Sequence, residues 1–164
     1  MSGHQDIGAL ARAIIDANLY MTLGTADRDG RPWVTPVYFA AAHYREFYWT
    51  SDPEAAHSRN LAQRPELSIV IFDSTVPAYE GQAVYMSATA EQLAGPELDR
   101  ALQVYPGPPE RGGSSVTADM VQEPAAYRLY RATVSEHFVL CPRDIGQPCA
   151  LHGRAVDHRA AVTP

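Results

Sequence analysis

YMTLGTADRDGRPWVTPVYFA, residues Tyr20 to Ala40, decides how this chain is read. Tyr20–Ala26 (YMTLGTA) has the texture of a β-strand. Asp27–Gly30 (DRDG) is turn chemistry, with Gly30 free to take positive φ. Trp33–Ala40 (WVTPVYFA) then reads as the returning strand of a hairpin. Pro36 has no N–H to give to a ladder, so this strand needs a sheet edge or an interruption there. Upstream, Ile7, Leu10, Ala11, Ile14 and Ile15 recur at helical spacing within Ile7–Asn18. Downstream, Glu46–Thr50 (EFYWT) is a third, aromatic-rich strand. In the following SDPEAAHSRNLAQRP, Ser51 or Asp52 can cap a helix, and Pro53 suits its first turn. Glu54 completes a capping-box pattern with Ser51, and Pro65 closes the helix.

Leu67–Phe72 (LSIVIF) is short and apolar, the pattern of a strand buried on both faces. Gln82–Ala90 (QAVYMSATA) is another strand, and Leu98–Val104 a short helical piece. Tyr105–Ser115 (YPGPPERGGSS) is the stretch richest in proline and glycine and is expected to be a mobile surface loop. Thr117–Gln122 suits a turn or two of helix, and Tyr127–Leu140 one long strand or two joined ones. Cys141–Pro164 shows no strong periodicity. Helices inserted among short antiparallel strands, without alternating βαβ units, predict a mainly β fold, a barrel. One domain over residues 1–164 is expected, with 1–6 and the C-terminal tail flexible.

The formal net charge is −6 and the sequence pI about 5.4. A nucleic acid or an anionic membrane calls for a net basic surface, so neither is an expected partner. No apolar run approaches the length of a membrane span, and Met1–Asp6 lacks the basic-then-apolar order of a signal peptide, which makes the cytoplasm the expected location. Cys141 and Cys149 are then expected as reduced thiols, with a disulfide-closed loop as the alternative. Without nearby ligand spacing they are not expected to form a zinc site. His152, Asp157 and His158 lie close enough in sequence to bind a metal, but the spacing is unspecific and a solvated tail is the plainer reading.

Among candidate sites, EFYWTSDPEAAHSRNL (Glu46–Leu61) stands first. A helix N-terminus exposes unpaired N–H groups and partial positive charge, which suits a phosphate. Ser51 adds a hydroxyl, and His57 and Arg59 add candidate cations. Two residues apart, these fall on nearly opposite sides of a helix, so one of them is expected to face the ligand. Gln82 both donates and accepts hydrogen bonds, which suits the polar edge of a planar heterocycle. A ring lying along Trp33–Phe39 would meet backbone groups where Pro36 interrupts the ladder, while the aromatics Trp33, Tyr38, Phe39, Phe47, Tyr48 and Trp49 read as core or dimer interface rather than a cofactor box. No GxGxxG or GxxxxGK[ST] loop, GxSxG elbow or HExxH pair is present.

Taken together, TLGTADRDGRPWVTPVYFA, FYWTSDPEAAHSRNLAQRPELSIVIFDS and EGQAVYMSATAE resemble the pyridoxamine 5′-phosphate oxidase-related flavoproteins. The likeness is good over Leu10–Glu91 and looser over Tyr127–Arg159. It rests on order and spacing rather than on one diagnostic motif. The resemblance implies a split β-barrel that pairs into a homodimer with FMN at the interface. It implies that Trp33, Val34, Thr35 and Pro36 line the flavin ring, and that Trp49, Thr50, Ser51 and the following helix start hold the phosphate. Gln82 would approach the ring, often from the other subunit. The family's phosphate lysine falls at His57 and the arginine before it at Ala56, with Arg59 nearby. A neutral imidazole is a poorer phosphate partner than an ammonium.

The C-terminal pattern of the true oxidase finds only a faint echo in AVDHR, Ala155–Arg159, so vitamin B6 oxidation is not expected. The implied activity is FMN-dependent oxidoreduction of an unidentified small organic molecule, with no side chain assigned to proton transfer. Two alternatives stay open: the same fold with the deazaflavin F420, or a flavin- or haem-binding sensor or carrier without turnover. In the haem case His57 and His137 are the candidate axial ligands.

Overall fold

The computed structural model describes residues 6–164; expectations for residues 1–5 lie outside the described residues. α1 (Ile7–Ala17) starts at Asp6, whose Oδ1 accepts the N–H groups of Gly8 and Ala9. It buries Ala11, Ile14 and Ile15, positions of the helical stripe. β1 (Tyr20–Ala26) and β2 (Pro32–Tyr38) form an antiparallel hairpin. Their connection turns where Asp27 Oδ1 accepts the N–H groups of Asp29 and Arg31, and where Gly30 takes φ +84°. The chain continues through β3 (Ala40–Ala42), β4 (Glu46–Ser51), α2 (Ala56–Gln63), β5 (Glu66–Phe72) and β6 (Ala83–Gln92). α3 (Gly95–Ala101), two 3-10 turns at Pro109–Arg111 and Ala118–Met120, β7 (Arg128–Leu140) and β8 (Arg159–Val162) complete it.

The strands make one antiparallel sheet in the order β2-β1-β5-β6-β7-β4-β3, with β8 also on β7. β7 is its spine. One edge pairs with β6; on the other, residues 128–133 hold β4 and residues 137–140 hold β8. The β6–β7 register shifts between Ser87 and Ala88, and such a bulge adds twist. The curled sheet closes around Met21, Leu23, Phe47, Trp49 and Ile71, with α1 packed on the same core. A second cluster, including Tyr48, Leu98, Tyr105 and Leu129, seats α3. This is the mainly β split-barrel architecture that the sequence predicts. No helix among the described residues is long and apolar enough to cross a membrane.

Several local expectations are corrected. β2 does lie at a sheet edge, as Pro36 requires, but Trp33–Ala40 is not one strand: it breaks at Phe39 into β2 and β3. β5 is buried on one face only. Leu67, Ile69 and Ile71 point inward, while Ser68 and Phe72 are exposed. α2 begins at Ala56, because Asp52 Oδ1 and the Asp52 carbonyl accept the N–H groups of Glu54 and Ala55 in a separate turn. The Tyr105–Ser115 loop is tethered: Tyr38 donates to the Pro106 carbonyl at 2.6 Å, and Arg111 donates to the Asn18 carbonyl at 2.8 Å. The tail contains β8, which no periodicity announces.

Candidate functional site

The junction of β4 and α2 sets the geometry of the predicted phosphate site. Ser51, last residue of β4, is buried, and its Oγ lies 2.7 Å from His57 Nε2. His57 sits on the inward face of α2 with Ser58 and Leu61. Burial pushes its pKa down, so its imidazole is neutral near pH 7. His57, one of the two candidate cations, is in the fold a buried hydrogen-bond partner of Ser51. Arg59 projects to the exposed side, with one contact to the Glu54 carbonyl. Ala55 stands at the N-cap and offers no side-chain acceptor, so the start of α2 has no side-chain cap on its first N–H groups and keeps its partial positive charge.

Arg59 lines an open cleft of about 540 Å³ with Asp27, Arg28, Arg31, Trp33 and Asn60. Asn60 donates to Thr25 Oγ1 at 3.0 Å, and Thr25 donates onward to the Trp33 carbonyl at 3.4 Å. This chain of hydrogen bonds ties α2 to the β1–β2 hairpin and brings Trp33 and Arg59 to one cleft. Val34 and Pro36 face away from it, because alternate strand residues take opposite faces. Val34 instead lines a depression of about 260 Å³ on the outer face of the sheet, with Gly24, Val70, Tyr85 and Phe138. Thr35 is half-buried on the inner side.

The remaining predicted residues scatter. Trp49 is fully buried and stacks on Tyr130 with ring centroids 5.5 Å apart. Its side chain is therefore core, and only its backbone is open to a ligand role. Thr50 Oγ1 hydrogen-bonds Tyr105 at 3.1 Å on the opposite side of β4. Gln82 is half-buried just before β6, and its Oε1 has no hydrogen-bond partner among the described residues. His137 is buried, with Nε2 2.6 Å from the Tyr44 carbonyl.

Two features escape the sequence reading. A cleft of about 980 Å³ lies between α1, β3 and the Tyr105–Ser115 loop, and none of the predicted site residues lines it. Arg111 there is engaged structurally, bonded to backbone carbonyls and lying 5.1 Å over the Phe39 ring. The second is the clustering of Cys141, Cys149, His152 and His158. Both cysteines are free thiols. The expectation that they lack nearby ligands is corrected, because the fold returns both histidines to them. Asp157, grouped with the histidines by sequence proximity, instead meets Arg143 at 2.7 Å. Reading the order C-x7-C-x2-H-x5-H as one set was the available signal.

The family model described as Pyridoxamine 5′-phosphate oxidase matches residues 7–135. The pyridoxine/pyridoxamine 5′-phosphate oxidase of Ectopseudomonas mendocina (strain ymp) is 35% identical over 86 residues, covering 52% of this chain and 38% of that protein. Among solved structures, a haem-binding protein from Mycobacterium smegmatis superposes with a TM-score of 0.63 at 20% identity, covering 92% of this chain and 56% of that one. An F420 reductase superposes with a TM-score of 0.52 at 20% identity, over 73% of this chain and 88% of that one. At such identities the structural likenesses show the fold alone. The chain spans less than two thirds of the oxidase and of the haem-binding protein that it matches.

Proposed function

The chain belongs to the pyridoxamine 5′-phosphate oxidase family, and on that premise we propose that it binds FMN between two copies of its barrel and exchanges electrons with a small organic molecule. The observation that carries this reading is the meeting of Trp33, Arg59 and the uncapped α2 start beside one cleft. Phosphate fits the first-turn N–H groups of α2 and the Arg59 guanidinium. The exposed edge strand Trp33–Pro36 offers a wall for a planar ring, and the unpartnered Gln82 Oε1 is an acceptor for a ring N–H. FMN, when bound, supplies hydride exchange at its ring. The protein's part is to orient ring and substrate and to hold the phosphate; no side chain is assigned to proton transfer.

His57, standing where the family's pattern has a lysine, brings no charge. Arg59, with Arg28 and Arg31 across the cleft, is left to balance the phosphate. A second reading is F420, whose longer anionic tail needs several cations; it has the same three arginines, but Asp27 and Asp29 line the cleft as well and Asp29 pairs with Arg28. A haem reading fares worse on geometry. The Nε2 atoms of His57 and His137 are both in hydrogen bonds, which axial ligation would break.

The test is the visible spectrum of the freshly purified protein, mass identification of whatever it releases on heating, and fluorescence titration with FMN and F420. The expected result is a flavin spectrum and tighter binding of FMN. A colourless protein that stays colourless when FMN is added overturns the reading.

A further inference from the structure

The connection from Cys141 to His158 has no helix or strand of its own, yet it links two paired strands. Irregular segments of this length are uncommon in compact domains without a device to hold them. Sheet register fixes its two ends. Leu140 lies opposite Arg159, and just beyond them the Cys141 N–H donates to the His158 carbonyl at 2.8 Å. Cys141 and His158 are therefore cross-strand neighbours. A tight turn supplies the other two groups. Gly153 N–H donates to the Cys149 carbonyl and Cys149 N–H to the Arg154 carbonyl, each at 2.8 Å, and the His152 N–H meets Cys149 Sγ at 3.1 Å. Both cysteines are buried in the main core cluster, with Leu151 packed against it.

The side chains converge on one point. Cys141 Sγ lies 3.4 Å from Cys149 Sγ, and each sulfur lies 3.4 Å from His152 Nδ1. His158 Nε2 lies 3.6 Å from Cys149 Sγ and 3.1 Å from His152 Nδ1. Tetrahedral zinc, with Zn–S about 2.3 Å and Zn–N about 2.0–2.1 Å, requires edges of roughly 3.8 Å between sulfurs, 3.6 Å from sulfur to nitrogen and 3.3 Å between nitrogens. The five observed edges are within a few tenths of an ångström of those values, and the sixth, Cys141 Sγ to His158 Nε2, lies within 4.8 Å. The sulfurs are too far apart for a disulfide, whose S–S bond is about 2.05 Å. The second ring nitrogen of His158, Nδ1, lies 2.9 Å from the Val156 carbonyl. Donation there leaves Nε2 to coordinate, the outer-shell arrangement that orients a metal-bound histidine. Arg143 clamps the loop from outside through Asp157.

We propose that Cys141, Cys149, His152 and His158 form a structural Cys2His2 zinc site that staples the β7–β8 connection to the barrel. Two thiolates and two imidazoles in a tetrahedron are a donor set that zinc takes, and four protein ligands leave no open position for catalysis. Binding releases the thiol proton of each cysteine to solvent, and the two thiolates offset the charge of the ion. The site is independent of the flavin reading, so either stands without the other.

The full chain is produced in medium containing zinc and purified under reducing conditions. Zinc, iron, copper and nickel are then measured by elemental analysis. About one zinc per chain is expected, falling below about a tenth in Cys149→Ser and in His158→Asn and unchanged in His43→Asn. Replacing zinc by cobalt(II) in the wild-type chain, a measurement that needs no variant to fold, should give the intense visible bands of a tetrahedral thiolate site. A chain free of zinc that also gives no such cobalt spectrum overturns the proposal. So does zinc that persists in both ligand variants, another metal at one per chain, or a Cys141–Cys149 disulfide in the reduced preparation.

Discussion

His57 and Arg59 lie two positions apart on α2, and burial alone gives them different work. Burial lowers the His57 pKa from its ordinary 6.5, and His137 shifts the same way, also chiefly through burial. Well above pH 6.5 both folded and unfolded chains hold these rings neutral, so neither contributes a pH dependence there. As pH falls below 6.5 the unfolded chain takes up protons first. It then binds more protons than the folded chain, and stability declines until the folded pKa values are reached. Urea midpoints from about pH 7.5 down to about pH 5.5 should therefore fall, and fall less steeply in His57→Asn; equal slopes would remove His57 from the account. Arg59 is exposed, so Arg59→Ala should leave folding stability within about 0.5 kcal/mol. The same change should weaken FMN binding by about 1.5–3 kcal/mol, roughly ten- to hundredfold. Unchanged affinity by fluorescence titration would mean that the phosphate lies elsewhere.

Among the elements, β7 carries the most weight, and Arg131 on it joins three others. Its guanidinium meets Glu46 of β4 at 3.4 Å, Glu91 of β6 at 2.6 Å and Glu97 of α3 at 3.0 Å, while only 18% exposed. The carboxylates are partly solvated, which moderates their loss. Arg131→Met should cost about 1–3 kcal/mol in urea unfolding, and Arg131→Lys less, since an ammonium keeps the charge but not the fork. A neutral Arg131→Met would show that packing alone joins these elements. The strands β1, β4 and β7 were legible in the sequence because turn residues bound each run. The start of α2 was misread because Ser51 looks like a cap. In the fold it is a ladder residue opposite Arg128 whose hydroxyl is taken by His57. β8 (RAAV) has too few β-branched residues to announce itself; it exists because the chain returns to β7 through the cysteine–histidine cluster. The spacing of that cluster is weak for the same reason, since His158 becomes a neighbour of Cys141 only through sheet register. Of the candidate site, the sequence assigns Trp33 and Arg59 to separate roles, and only the fold brings them to one cleft. The burial of Trp49 bears out the reading of the strand aromatics as core or interface; what an aromatic strand end does not tell is whether its backbone also meets a ligand.

For the whole molecule, the decisive feature is the outer face of the sheet. By register Val34 pairs with Gly24, Gly24 with Ser68, Thr22 with Val70 and Val70 with Tyr85, so these residues share that face with Tyr20 and Phe72. Val34 is 64% exposed, Tyr20 61% and Phe72 48%. A contiguous apolar face of this kind marks an interaction surface. The run LSIVIF reads as buried on both sides, and a second copy of the chain on this face would bury its outer side as well. A two-fold contact sets the same patch on both copies, so each substitution acts twice and against itself. Val34→Asp would bring carboxylates into that contact, where burying an unpaired charge is costly. Light scattering on the wild-type chain at micromolar concentration should give twice the chain mass of 17.9 kDa, and Val34→Asp the single-chain mass. Because the proposed cofactor groove lies between the copies, the variant should lose FMN along with its partner, although Arg59 and the α2 start are untouched. Full FMN affinity in a monomeric variant would place the binding site within one chain. A wild-type chain that stays monomeric would remove the homodimer itself.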